Sequence, residues 1–196
     1  MDGVLSDSFK LMINSVNKFS SKYKFPKITK NKIAEFKLIG ASTYFSKHNI
    51  SKTALLSLSK MVKTDLSNSV HLAKPFPGIK TLLKKLSLSH NLCVLSSNSK
   101  SNIKKFIKNN KLLYFSDIYS SDFFGKAAVL KKIKNEYNDK PVFYIGDEDR
   151  DIQAAKKSGL ISIAVSWGLS DKAYLQKLNP DYLIDKPIQI FTIINS

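Results

Sequence analysis

The sequence predicts an α/β protein: a mainly parallel sheet with helices on both faces, carrying an all-helical lobe inserted near the N-terminus. Two observations carry this. From Lys74-Pro75-Phe76-Pro77-Gly78 onward, short apolar runs alternate with stretches of helical spacing. Such alternation marks βαβ units, and hence a parallel sheet covered on both faces. Before that point, from Ser8 to about Leu72, apolar residues recur at helical spacing with no clear strand. A chain of 196 residues is long enough for one good-sized core and a small lobe.

In the lobe, Phe9, Leu11, Met12, Val16 and Phe19 form one helical stripe, and Ile33, Phe36, Leu38, Ile39 and Phe45 form a second. Ser51 is placed to cap a third helix that runs through Met61 and Val62. Beyond the Pro-Gly hinge, strands are expected at residues 92–95, near 118–119, and at 142–145, 161–165 and 182–184. Helices are expected from 78 to about 88, at 103–108, 127–137 and 152–157, and through Tyr174 and Leu175. Gly159 is placed to end the helix at 152–157 in the left-handed conformation.

Composition narrows the function classes. The formal net charge is +17, yet Arg150 is the only arginine and the lysines are spread along the whole chain. Nucleic-acid readers lean on the planar arginine fork and concentrate charge on one face, so a nucleic-acid partner is not expected. Cys93 is the only cysteine, which excludes an internal disulfide and fits a reducing compartment. No apolar run approaches the roughly 20 residues of a membrane span. Met1-Asp2-Gly3-Val4 lacks the basic start and apolar stretch of a signal peptide. A cytoplasmic protein without a membrane partner is expected.

Three constellations fall where strands end, which is where ligands bind in parallel sheets, and a fourth opens the chain. The first is Gly146-Asp147-Glu148-Asp149-Arg150-Asp151. Asp147 lies just past an apolar strand and Asp151 about one helical turn further on, a spacing that suits Mg²⁺, which prefers hard oxygen ligands. The helix dipole also favours acids at a helix start, so the run alone reads equally well as a decorated cap. The second is Ser96-Ser97-Asn98-Ser99, hydroxyls and amides at a strand end before a helix, a ready anion site. In isolation it is more simply a cluster of N-cap residues. The third is Phe124-Gly125-Lys126-Ala127, whose lysine can offset phosphate charge, a weak signal in so lysine-rich a chain. The fourth is Met1-Asp2-Gly3-Val4-Leu5-Ser6-Asp7-Ser8.

The fourth, from Asp2 to Ser8, resembles the opening motif of the haloacid dehalogenase superfamily of phosphatases. Ser97 after its strand, Lys126, and Gly-Asp-x-x-x-Asp at 146–151 match that family's later motifs in order. The tail is similar to one branch, the phosphoglycolate phosphatase-like members. It carries Ala154-Ala155-Lys156-Lys157-Ser158-Gly159, then Val165-Ser166-Trp167-Gly168-Leu169, then Asn179-Pro180-Asp181-Tyr182. The helical lobe resembles their inserted cap. The resemblance implies a Rossmann-like core of residues 1–7 and 75–196, with a cap at 8–74 that hinges around Asp7-Ser8 and 74–78.

It also implies two-step phosphoryl transfer, in which an aspartate attacks phosphorus and water hydrolyses the aspartyl-phosphate. Asp2 would be the general acid and base, with its backbone carbonyl facing Mg²⁺. Ser97 would hydrogen-bond the phosphoryl oxygens, with Ser96 in its place if the strand ends one residue sooner. Asn98 would join that phosphate site, and Lys126 would hold phosphate and nucleophile against each other. Asp147 would bind Mg²⁺ directly, and Asp151 directly or through water. Metal and lysine would stabilise charge on the transferring group.

The family pattern is an apolar strand followed by Asp-x-Asp-Gly. Here Met1 stands at the x position, so the nucleophilic aspartate falls one residue before Met1, and the strand leading to it is missing. That strand is central in the family's sheet, between those carrying Ser97 and Asp147. Its loss is expected to leave two interior strand edges, each unpaired buried group costing about 1–3 kcal/mol, and an apolar slot between them. Asp7 lies beyond the strand end and is a poor substitute. The chain as written should not form the aspartyl-phosphate, and the coding DNA upstream is expected to encode an apolar stretch ending in Asp. The function implied is a Mg²⁺-dependent phosphatase for a small phosphorylated metabolite. A phosphomutase of the same fold and a phosphate-binding module without catalysis are the alternatives. A dehalogenase would have no use for the acidic loop. Nothing in residues 8–72 selects phosphoglycolate over pyrophosphate or a sugar phosphate.

Overall fold

The computed structural model describes residues 1–196 apart from 68, 70–71, 122–124 and 138–139. In chain order the elements begin with β1 (Ser6–Asp7), α1 (Phe9–Lys18), α2 (Ser20–Tyr23), α3 (Lys30–Lys47), α4 (Lys52–Ser67) and β2 (Lys74–Pro75). Next come α5 (Ile79–Leu86), β3 (Cys93–Ser96), α6 (Lys100–Asn109), β4 (Asp117–Ser120), α7 (Lys126–Tyr137) and β5 (Phe143–Gly146). The chain ends with α8 (Asp149–Lys157), β6 (Ile161–Val165), α9 (Lys172–Lys177), β7 (Tyr182–Ile184) and α10 (Ile188–Ile194).

The lobe has its own core. Ile13 and Val16 of α1 pack with Phe36, Tyr44 and Phe45 of α3 and with Leu58 and Val62 of α4. Phe25 meets Phe45 edge to face at 5.1 Å, a geometry aromatic quadrupoles favour. Ser51 caps α4 as its sequence position implies, accepting from the Ala54 N–H. The expected second helix is broken: Gly40, at φ +74°, interrupts α3 in a conformation that side-chain-bearing residues rarely adopt. The two chain crossings between lobe and core are bonded to each other, because β1 and β2 pair antiparallel with Ser6 opposite Pro75 and Asp7 opposite Lys74.

The core follows the βα alternation. On α5, Ile79, Leu82, Leu83 and Leu86 are all buried, the i, i+3, i+4, i+7 stripe of an amphipathic helix. Each such side chain contributes roughly 1.5–3 kcal/mol on burial. The stripe packs in one cluster with Val94 of β3, Ile103 and Phe106 of α6, and Ile163 and Val165 of β6. α10, which the sequence reading missed, closes the same cluster through Ile190. A seven-residue apolar tail does not declare its period, and only the helix it packs against, α5, decides it.

The parallel strands form two blocks. β3 pairs with β4 in one, and β5, β6 and β7 pair in that order in the other. Between β3 and β5 lies a cavity of about 630 Å³, lined by Val94 and Leu95 on one bank and Phe143, Tyr144 and Ile145 on the other. Met1, Val4 and Leu5 also line it. The carboxyl ends of β3 and β5 converge, because Asn98 just past β3 bonds Asp2 and Gly3 presses against Asp147 just past β5. The expected apolar slot is therefore present, with a strand edge facing it from each side.

Candidate active site

Asp147, Asp151 and the Ser96–Asn98 loop are delivered by strand-to-helix turns at the converging carboxyl ends, Lys126 by the start of α7, and Asp2 by the segment before β1. Past β5, Asp147 and Asp151 are both buried, each about 3% exposed. α8 starts at Asp149, three residues earlier than its apolar spacing implied, because Glu148 and Asp151 form a reciprocal capping box. Asp151 Oδ2 thus accepts from the backbone N–H groups of Asp147 and Glu148, each at 3.3 Å. Its Oδ1 accepts from the Lys126 ammonium and from the Tyr144 hydroxyl at 3.2 Å. Lys126, the first residue of α7, is itself buried. Phe124, which opens the motif containing it, lies outside the described residues.

Asp147 is held from the opposite side. Its Oδ2 accepts from the Leu169 N–H at 2.8 Å, and its backbone carbonyl accepts from the Ser170 N–H at 3.3 Å. Three glycines leave room for the carboxylates. A Cβ on Gly3 would sit 1.7 Å from Asp147 Oδ2, one on Gly168 2.3 Å from Asp147 Cβ, and one on Gly146 2.2 Å from Asp151 Cβ. No side chain fits at any of the three.

Charge is unevenly compensated here. Burial pushes the Asp147 carboxyl up to about 8, and the neighbouring Glu148 and Asp151 add to the rise. Burial acts on Asp151 in the same direction, but Lys126 and Arg150 outweigh it and hold that carboxyl down at about 2. Among the described residues, one oxygen each from Asp147, Glu148 and Asp151 lie within 4.8 Å of one another. Three hard oxygen donors crowded at that distance, one of them resisting ionisation, fit a divalent cation that would relieve their repulsion. From the sequence, the metal is expected on Asp2, Asp147 and Asp151. The structure brings Asp147 and Asp151 together but adds Glu148, which also pairs with Arg150 at 2.6 Å. The acidic run itself carried that signal.

Asp2 lies across from the acidic cluster. Its Oδ1 accepts from the Ser8 hydroxyl at 2.8 Å and its Oδ2 from the Asn98 amide at 2.6 Å. Its carboxylate is therefore turned towards the serine-rich loop after β3. There the Ser96 hydroxyl, at the last strand position, accepts from the Asn98 N–H. Ser97 stands half-buried as the first residue beyond the strand. Ser99 caps α6 by accepting from the Asn102 N–H. The Met1 amino group is buried among these parts, its pKa lowered by desolvation, with Asp2, Lys126, Asp147 and Asp151 as its charged neighbours. Ser8, Tyr144, Gly168 and Leu169 are site residues that the sequence reading did not assign. Ser8 closes the opening motif and Gly168-Leu169 lie in the tail motif, whereas Tyr144 carries no local pattern that would mark it.

A Rossmann-like core whose strand ends gather carboxylates, a lysine and a serine-asparagine loop under a helical lobe defines a class, and the comparisons agree. Residues 1–165 match the family of haloacid dehalogenase-like hydrolases, and the chain belongs to that family. Within it the chain is phosphoglycolate phosphatase-like. It is 28% identical over 199 residues to the phosphoglycolate phosphatase of Synechococcus elongatus, an alignment covering 98% of this chain and 93% of that protein. A shorter stretch of 51 residues is 37% identical to the pyrophosphatase PpaX of Bacillus mycoides, covering 26% of this chain and 24% of that one. The fold is shared with a haloacid dehalogenase-like hydrolase of Streptococcus pneumoniae, at a TM-score of 0.78 and 24% identity, covering 98% of this chain and 94% of that one.

Proposed function

We propose that this chain is a Mg²⁺-dependent phosphatase for a small phosphomonoester of the phosphoglycolate class, working through an aspartyl-phosphate. The observation that carries the reading is the convergence of Asp2, Asn98, Lys126, Asp147 and Asp151, from four separate segments, around the carboxyl end of the slot. Asp147 and Asp151, with Glu148 beside them, would hold the metal, and residues 8–74 would act as the cap over the core of 1–7 and 75–196. Mg²⁺ supplies positive charge against the phosphoryl oxygens and the developing negative charge.

The chain's own residues do the rest. The Lys126 ammonium, fixed by Asp151, sets a second positive charge beside the phosphate. Ser97 and Asn98 donate hydrogen bonds to its oxygens. Ser97 is preferred to Ser96, because the Ser96 hydroxyl is already turned to the Asn98 N–H. Asp2 gives a proton to the leaving group and later takes one from water, its carboxyl oriented by Ser8 and Asn98. The nucleophile belongs at the carboxyl end of the slot, on the residue that would precede Met1. Asp2 is tied to Ser8 and Asn98, and Asp7 sits in the hinge ribbon, so neither stands in that place. Protein lacking that residue would bind phosphate and metal without turnover.

Phosphate release from a panel of phosphomonoesters, including phosphoglycolate, tests this directly. Protein preceded by a five-residue apolar strand ending in Asp should release phosphate with Mg²⁺ and stop on chelation, and protein starting at Met1 should release none. No release by the extended protein on any substrate would overturn the proposal.

A further inference from the structure

The loop that orients Asp147 is gripped from its other face by the helical lobe. The Lys37 ammonium, on α3, donates to the Gly168 carbonyl at 2.9 Å. The Leu169 N–H, which donates to Asp147 Oδ2 at 2.8 Å, belongs to the same peptide group. That group is planar and rigid, so one end cannot turn without the other. A lobe cation and a core carboxylate are thus joined through a single amide, donor to acceptor and donor to acceptor again.

Several further contacts seat this amide. Gly168 presses directly on Asp147 and on the Gly3 carbonyl, where a Cβ would lie 2.6 Å from that oxygen. The Lys37 backbone carbonyl accepts from the Asp171 N–H at 3.0 Å, tying α3 to the start of α9. Leu169 itself packs into the lobe's hydrophobic cluster. On the other flank of the acidic loop, the Tyr174 hydroxyl donates to Asp149 at 3.2 Å and lies against α3 at Gly40. Among the described residues Lys37 has no carboxylate partner. Its half-buried charge meets only the Gly168 carbonyl and, at 4.7 Å, the Phe9 ring. A half-buried ammonium seated on a carbonyl sets Lys37 apart from Lys18, Lys32 and Lys47 of the same lobe, which pair with surface carboxylates.

We propose that Lys37 is a positioning residue that couples seating of the lobe to the orientation of Asp147, and so to metal affinity. This rests on the reading of Asp147 as a metal ligand. A cation on the carbonyl oxygen polarises the amide and strengthens its N–H as a donor, while fixing the plane that aims the carboxylate. By linkage the effect is reciprocal: metal on Asp147 holds the lobe on the core as firmly as the seated lobe holds Asp147.

The test is Mg²⁺ titration by calorimetry on the whole chain, with the Leu169 amide followed by NMR. Variants are Lys37→Met, Lys37→Arg, and Lys18→Met as a lobe-lysine control whose partner is the surface Asp65. Lys37→Met should weaken Mg²⁺ binding by about 5- to 20-fold. It should also shift the Leu169 amide resonance upfield and speed its hydrogen exchange before any metal is added. Lys37→Arg, which can donate to the same carbonyl, should restore both, and Lys18→Met should leave both unchanged. If wild type binds Mg²⁺ and Lys37→Met binds it equally well, the coupling is refuted while the metal reading stands. If neither wild type nor Asp147→Asn binds Mg²⁺, the metal reading falls and takes the coupling with it.

Discussion

The two banks of the central slot are held to different standards. On the β5 bank, a three-stranded ladder backs Asp147 and Asp151, and six hydrogen bonds from Lys126, Tyr144 and the backbone fix their oxygens. On the β3 bank, a two-stranded ladder backs a loop that reaches the rest of the site through the Asn98–Asp2 bond. The bank that concentrates negative charge is braced before any ligand arrives. The bank that would receive the phosphate meets it across an open slot. Charge placement on the β5 bank is thus preorganised in the fold.

The largest difference between the banks is expected at the Lys126–Asp151 brace. Lys126→Met would leave Asp151 buried without its hydrogen-bonded counter-charge, with Arg150 the remaining cation beside it. It should lower stability by about 3–5 kcal/mol, read as a shift of the urea midpoint at unchanged slope. A loss below about 1 kcal/mol would mean that the β5 bank is no better held than a surface pair.

Gly3 is where the banks touch, and Gly3→Ala tests that contact. The added Cβ would meet the Asp147 carboxylate, and the left-handed φ of +71° strains any side chain. The expected loss is about 2 kcal/mol or somewhat more, with Mg²⁺ binding weakened alongside.

A smaller effect sharpens why the β5 bank is stiff. Asp181 accepts from both the N–H and the hydroxyl of Ser162, which is fully buried on β6. Asp181→Ala should cost about 1 kcal/mol, because Ser162 loses its partner while Asp181 itself is solvated. These Ser162 hydrogen bonds hold the Asp181 carboxyl below the usual value of 3.8. A carboxyl depressed on folding stabilises fully above that value and loses its contribution as the pH falls below it. The gap between wild type and Asp181→Ala should therefore close in acid and stay constant from pH 5 to 8.

Much of this was legible in the residues. The strands Ile161–Val165 and Tyr182–Ile184 lie where their apolar runs place them, since a buried parallel strand has no polar alternation to blur its ends. The break at Gly40, the β1–β2 ribbon and helix α10 depend on contacts distant in sequence, and local spacing does not report them. The site divided in the same way. Asp147, Asp151 and Lys126 carry motif spacing, whereas the bonds that Tyr144, Ser8 and the Gly168–Leu169 amide make to the carboxylates arise only through the fold.

The measurement that bears most directly on the account is mass spectrometry of acid-quenched protein after mixing with phosphoglycolate and Mg²⁺. The protein would carry an apolar strand ending in Asp ahead of Met1. One phosphoryl adduct is expected, on the Asp that directly precedes Met1, and none on protein starting at Met1. An adduct on Asp2 or Asp7, or turnover by the protein starting at Met1, would contradict it.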